Sequence, residues 1–267
     1  MTMTSERRKE ILDTVAKLRV TDIRDGLDWI GLHHTGTVSP DIRPLWRTKA
    51  AGFAQTFRQT PTQKSVPTMS PDDYTKWAYE YWYFQLFDYT DFGRRVGPGD
   101  FLVCDTCGTP SPAVGSMDSM IWAAKGITGC LTNGGTRDTD EALIQKALPV
   151  WSRWIVQTMY QGRVEYAGDS MPVEIGGALI NPGDLIVADG DGAICVPQDV
   201  IDDVLKYAIQ EAENDKKTRK LLYDRLGIAH DHSVDSVFDV APHPYPLTPD
   251  RLEYYITGKG TGPTITK

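Results

Sequence analysis

The sequence predicts a mixed α/β fold, and three features carry that prediction. Gly115 to Glu141, GSMDSMIWAAKGITGCLTNGGTRDTDE, sets a small-residue turn, a helical segment, a buried β-branched run and a charged loop in succession. A turn-and-strand unit occurs twice: Pro98-Gly99-Asp100 leads into FLVCD, and Pro182-Gly183-Asp184 leads into LIVAD. Pro and Gly suit the two central positions of a type II turn, so Asp105 and Asp189 are expected at equivalent strand ends. Gln198 to Arg225 repeats apolar residues at helical spacing, with Val200, Val204, Leu205 and Ala208 on one stripe.

In chain order, Ser5 to Leu18 predicts an opening helix through Ile11, Leu12, Val15 and Leu18. Thr21-Asp22 reads as the cap of a second helix, with Ile23, Leu27 and Ile30 on one side and Asp25 and Asp28 on the other. AAGFAQTFR, from Ala50 to Arg58, reads as a strand. Ser70-Pro71-Asp72-Asp73 starts a helix that continues into YTKWAYEYWYFQLFDYTDF, with aromatics on nearly every face. Such a segment is buried all round, packed on another subunit, or shaping a pocket.

Ser119 to Lys125 predicts a helix stopped by Gly126, and ITGCLTN a covered strand after which Gly134-Gly135 is expected to turn sharply. Asp140 to Leu148 is a short helix cut by Pro149, and VWSRWIVQTMYQGRVEY should return as a strand. Pro172 to Ile180 forms a hairpin around Gly176-Gly177. The chain divides into an α/β domain over residues 1-227 and a Pro-, His- and Tyr-rich tail over 228-267, which should pack on its own or a neighbouring subunit.

Composition narrows the partners. The net charge of −8 arises from 36 acids against 28 Lys and Arg without a basic block, which argues against nucleic acid. No apolar run approaches the roughly 18 residues of a membrane span. MTMTSERRKE lacks a signal-peptide centre, so a cytoplasmic location is expected. Cys104-Asp-Thr-Cys107 has no second pair to complete a tetrahedral zinc set, and Cys130 and Cys195 stand alone in apolar runs. His33-His34, Asp189-Gly190-Asp191 and His230-Asp231-His232 are read as loop residues rather than ligands. No phosphate loop or dinucleotide fingerprint is present, which leaves no glycine-rich seat for a nucleotide or methyl donor.

The chemistry concentrates after the glycine turn. Backbone N–H groups of Gly115, Ser116 and Met117 at a helix start suit a substrate carboxylate. Arg137 beside Asp138 suits a reaction in which an oxygen anion develops: the guanidinium stabilises an enolate, and the carboxylate holds a Mg2+ or Mn2+ that polarises the same oxo acid.

TDIRDGLDWIGL, AGFAQTFR, PGDFLVCD, GSM through GGTRDTDE, and PVEIGGALINPGDLIVADGDGAICVP together resemble the RraA-like family. That family includes 4-hydroxy-4-methyl-2-oxoglutarate/4-carboxy-4-hydroxy-2-oxoadipate aldolases and the regulator of RNase E activity. The resemblance implies an α/β/β/α sandwich, here with an aromatic helical insertion and an extended C-terminal tail. It also implies a homotrimer or homohexamer with sites between subunits. Asp138 would contact the divalent metal, Arg137 would face a pyruvate-like enolate, and the Gly115, Ser116 and Met117 amides would hold its carboxylate. Aldolase members carry an acid where this chain has Ser116, so either Asp118 or Asp105 substitutes or the metal is held by fewer protein groups. A further metal-shell acid is expected from a neighbouring subunit, at Glu211 or Glu213. The resemblance implies a divalent-metal-dependent lyase of a small oxo acid, by retro-aldol cleavage or decarboxylation; the alternative is a non-enzymatic regulator of the RNase E type.

Overall fold

A computed structural model describes residues 3–241, 243 and 246–260. Its centre is β2 (Ala50–Pro61), a long strand bonded on both sides. β3 (Asp100–Asp105), β5 (Cys130–Thr136) and β6 (Val150–Ile155) follow it in parallel, and β1 (Arg43–Pro44) closes that edge antiparallel to β6. On the other side β10 (Leu185–Asp189) and β11 (Gly192–Val196) continue the sheet antiparallel. β4 (Pro112–Val114) adds to β5, and β7 (Val164–Asp169) adds to the far end of β2. Every residue of β3 and β5 is buried, as expected of parallel strands covered on both faces.

Alternation along the strands sorts the cover. Phe53, Leu185, Val187, Ile194 and Val196 face α1 (Ser5–Val15), α2 (Val20–Trp29) and the long α7 (Ile201–Leu226), joining Ile11, Leu27 and Val204 in one core. Farther along, Phe57, Leu102 and Cys104 pack with Phe92 of α4 (Thr90–Arg95) and Trp122 of α5 (Ser116–Ala124). Ala54, Phe101, Val103 and Ile186 instead meet the hairpin of β8 (Val173–Ile175) and β9 (Ala178–Ile180). The expected mixed α/β fold is present: a helical layer, a large mixed sheet and a small second sheet.

Four local expectations are corrected. Arg19, not Thr21, precedes the first turn of α2, and the Asp22 carboxylate accepts from the Arg19 N–H at 2.7 Å. Gly134 and Gly135 lie inside β5 rather than in a turn. A Cβ on Gly134 would fall 2.4 Å from Thr106 Cγ2, and one on Gly135 would fall 2.8 Å from Val156 Cγ1, so these glycines admit close neighbours. The run from Val150 to Tyr166 is two strands, β6 and β7, joined by a loop that contains Met159 and Tyr160. Asp105 and Asp189 leave opposite ends of the sheet, because β3 runs parallel and β10 antiparallel to β2. What the two Pro-Gly-Asp units share is turn chemistry: Asp100 and Asp184 accept from the Gly97 and Asn181 N–H groups at 2.9 and 2.8 Å. Both turns hydrogen-bond neighbouring residues of β2, Phe53 and Ala54.

The aromatic insertion is α3 (Pro71–Trp77), capped by Ser70, followed by a π-helical stretch, Ala78–Leu86. The wider coil divides its aromatic residues. Trp82 is fully buried and donates from Nε1 to Val164 O at 3.0 Å, Tyr83 turns toward the cleft described below, and Tyr79 and Phe84 face outward.

The tail lies along α7. Glu213 is buried beneath it and accepts from Ser236 Oγ, the Val237 and Phe238 N–H groups and Lys216 Nζ, at 2.6, 3.0, 3.2 and 3.0 Å. These donors hold its carboxyl below the usual range despite burial. Native Glu213 therefore releases its proton more readily than the unfolded chain does, and its contribution is lost as pH falls through the glutamate range. α8 (Pro249–Thr257) is tied to α7 by Arg225 and Glu253. Residues 242, 244, 245 and 261–267 of the tail lie outside the described residues. Glu213→Ala is expected to cost about 2–3 kcal/mol in urea unfolding by stranding these donors, and to expose the segment around Val237 to limited proteolysis.

Candidate active site

Two strand ends bring the site together. β4 pairs with β5 through Pro112↔Gly135 and Val114↔Thr136, so the residues just beyond the two strands, Gly115 and Arg137, become neighbours. At Gly115 the chain enters α5; at Asp138 it enters α6 (Thr139–Gln145). Asp138 takes the left-handed conformation, φ 53° and ψ 44°, which an Asp tolerates better than most residues but still at a cost. That turn directs its carboxylate back over the start of α5.

There the Arg137 Nε–H donates to Asp138 Oδ1 at 3.0 Å, and the Ser116 N–H faces Asp138 Oδ2 at 3.3 Å. Arg137 also reaches Thr158 O at 3.4 Å. Gly115 has no side chain for a spatial reason: a Cβ would lie 2.6 Å from Asp138 Oδ2 and 3.3 Å from Arg137 Cγ. Arg137 and Asp138 are each about one-third exposed, at 30% and 33%, so both remain open to a ligand.

Asp118, one turn into α5, accepts from the Gly115 N–H at 3.3 Å. Burial pushes its carboxyl up, opposed by that N–H and by Arg137. Tyr160, half-buried, has its phenol pushed up, chiefly by desolvation and then by the Asp118 charge. With Tyr83, Pro112, Met117 and Met159 these residues line an open cleft of about 170 Å³.

Gly115, Met117, Asp118, Arg137 and Asp138 thus line one cleft, with the Ser116 amide at its rim. The structure keeps other expected residues away. Asp105 is buried against Arg58 Nε, Asn133 Nδ2 and the Cys107 N–H, at 2.9, 2.8 and 2.8 Å, where it fixes the β3 end. Glu213 lies outside this cleft, on α7, with both of its oxygens bonded to the tail of its own chain. Glu211 takes the Trp29 indole N–H at 2.8 Å and pairs with His243 at 2.9 Å. The amide cradle also differs from expectation, because the Gly115 and Ser116 N–H groups already face the chain's own carboxylates. Those contacts, at 3.3 Å, are longer than the usual N–H···O range. Tyr160 and Met159 carry no sequence signal, sitting mid-loop in a run that reads as strand; Tyr83 is foreshadowed only by the density of aromatics around it.

A mixed sheet that delivers an Arg–Asp pair to the N-terminus of a helix defines an α/β protein with a cleft whose mouth is charged. The RraA-like family model, described as Aldolase/RraA, matches residues 20–195, and the chain belongs to that family. It is 30% identical over 214 residues to Protein DlpA of Legionella pneumophila, a match covering 77% of this chain but only 30% of DlpA, so the chain spans under a third of that relative's length. It is 28% identical over 121 residues to a Thermus thermophilus protein named 4-hydroxy-4-methyl-2-oxoglutarate aldolase, covering 43% of this chain and 71% of that one. Among solved structures, Streptomyces coelicolor RraAS2, described as an unusual member of the RNase ES inhibitor RraA family, superposes with a TM-score of 0.62. At 23% identity, covering 79% of this chain and 96% of that chain, this likeness speaks to the fold. Among the described residues no helix is long and apolar enough to cross a membrane.

Proposed function

We propose that the protein is a divalent-cation-dependent lyase that breaks a carbon–carbon bond of a small 2-oxo acid, working as a homotrimer or homohexamer. The observation that carries this reading is the 3.0 Å Arg137–Asp138 contact at the mouth of the cleft, above the start of α5. The residues present suit a hard cation. Asp138 offers a partly exposed carboxylate whose contact to the Ser116 amide is long, and Mg2+ or Mn2+ takes one or two carboxylates while keeping waters and substrate oxygens. When bound, such a cation supplies Lewis-acid polarisation of the oxo acid.

The chain's own groups do the rest. Arg137 places its N–H donors where the enolate oxygen gains charge, and a preformed donor in a partly desolvated cleft needs no reorganisation as that charge develops. The start of α5 adds the positive end of a helix dipole beside the substrate's carboxylate. Resemblance to a named 4-hydroxy-4-methyl-2-oxoglutarate aldolase supports the reaction class.

Calorimetric titration of Mn2+ with oxalate, a planar mimic of the pyruvate enolate, tests this reading. Each is expected to tighten the binding of the other. Ser116, standing where aldolases carry an acid, favours a second reading as a non-enzymatic regulator, and absence of coupling would select it.

A further inference from the structure

The uncharged lining of the cleft bears on which oxo acid fits. Tyr83, Pro112, Met117, Met159 and Tyr160 form it, with Met117 64% and Met159 42% exposed. Among the described lining residues Arg137 is the only cation, while Asp118 and Asp138 are both acids. Arg163, close in sequence, turns its guanidinium onto the carbonyls of Met159 and Gln161 at 3.3 Å. A substrate whose first carboxylate sits by Arg137 and the α5 amides would bring a second carboxylate against thioethers and aromatic rings, near two like charges. Desolvating that group without a partner is unfavourable.

An aromatic group meets the opposite conditions. The Tyr160 ring is held in place, stacked on Phe87 with centroids 4.3 Å apart and planes at 5°, while Tyr83 meets it edge-on at 5.7 Å and 73°. Tyr83 is itself anchored, its hydroxyl donating to Gln161 Oε1 at 2.7 Å. Behind Tyr160 and Asp118 the side chains of Phe57, Phe87, Tyr89 and Trp122 pack closely, leaving about 10 Å³, room for one water molecule. The aromatic cluster therefore backs the cleft as a firm wall, with Tyr160 and Asp118 shared between the two. Rings offer edge-to-face and stacked partners to another ring, and thioethers add soft contacts to aromatic edges.

We propose that the substrate is a 4-aryl-4-hydroxy-2-oxobutanoate, with Tyr83, Met159 and Tyr160 as the residues that select the aryl group over a carboxylate. This rests on the lyase reading above and narrows it to one substrate class. In the reaction the C3–C4 bond breaks and its electron pair passes into the pyruvate enolate beside Arg137. The C4 hydroxyl proton goes to water as the aryl aldehyde leaves, and C3 takes a proton from water to give pyruvate.

The test measures pyruvate release by the full chain with Mn2+, from 4-hydroxy-2-oxo-4-phenylbutanoate and from 4-hydroxy-4-methyl-2-oxoglutarate. The phenyl compound is expected to have the higher kcat/KM, by roughly 10²-fold, the upper range of what apolar complementarity delivers. Met159→Arg, a change at a partly exposed loop position, should shift that ratio at least about tenfold toward the dicarboxylate. Tyr83→Ala should lower kcat/KM for the phenyl compound more than for the dicarboxylate. Equal rates, preference for the dicarboxylate, or no cleavage of the phenyl compound by protein that still couples Mn2+ to oxalate would overturn the aryl assignment alone. Loss of the Mn2+–oxalate coupling in the wild type would instead overturn the lyase reading, and the assignment with it.

Discussion

Asp138→Asn is expected to remove the coupling between Mn2+ and oxalate and to take pyruvate release to background, with the fold intact. Asn is the informative replacement because residue 138 sits at φ 53°, a left-handed conformation that Asn adopts readily and Ala does not. The amide keeps the shape that faces Ser116 and Arg137 but has no charge with which to hold a cation. Arg137→Ala separates the other half of the pair. It should still bind Mn2+, yet lose on the order of 10²-fold or more in kcat, because its donors act on charge that exists only as the bond breaks. A KM rise with unchanged kcat in Arg137→Ala would instead assign the guanidinium to ground-state binding. Undiminished turnover in Asp138→Asn would remove the cation from the proposal.

The contrast between what the sequence discloses and what it hides follows the range of each interaction. Local chemistry is legible: Ser70-Pro71 caps α3, the apolar stripe after Val200 becomes α7, and Gly115 marks the start of α5. The ordered set of motifs also conveys the family. Long-range pairing is not legible. Gly134-Gly135 has turn composition, but Thr106, Ser111, Trp154 and Val156 crowd against β5 there and leave no room for a side chain, so glycine serves an extended segment. The two Pro-Gly-Asp echoes look equivalent because the turn is local, whereas strand direction is set by the partners of β2. Asp105 and Glu213 carry the same carboxylate as Asp138. Only burial and the donors around them show that Asp105 holds the end of β3 and Glu213 clasps the tail. The cleft's apolar wall is hidden for the same reason, assembled from Tyr83 on the insertion and from Met159 and Tyr160 between β6 and β7.

Gly115→Ala tests the geometry that makes the pair a site. Gly115 sits at φ −115° and ψ −174°, an extended conformation open to any residue, so alanine meets no backbone strain there. The conflict is with two atoms: the added Cβ would lie 2.6 Å from Asp138 Oδ2 and 3.3 Å from Arg137 Cγ. Neither side chain can yield independently, since the 3.0 Å Nε–Oδ1 contact couples them and Asp138 is fixed by the turn into α6. The methyl group should therefore push the carboxylate off the start of α5. Thermal unfolding is expected to move little, because Asp138 is partly exposed and its contact to Ser116 is long. Pyruvate release and Mn2+–oxalate coupling should fall nearly as far as in Asp138→Asn. If Gly115→Ala instead retains activity, the carboxylate does not act from the position beside the α5 amides, and the cleft's polar mouth must be organised around Arg137 alone.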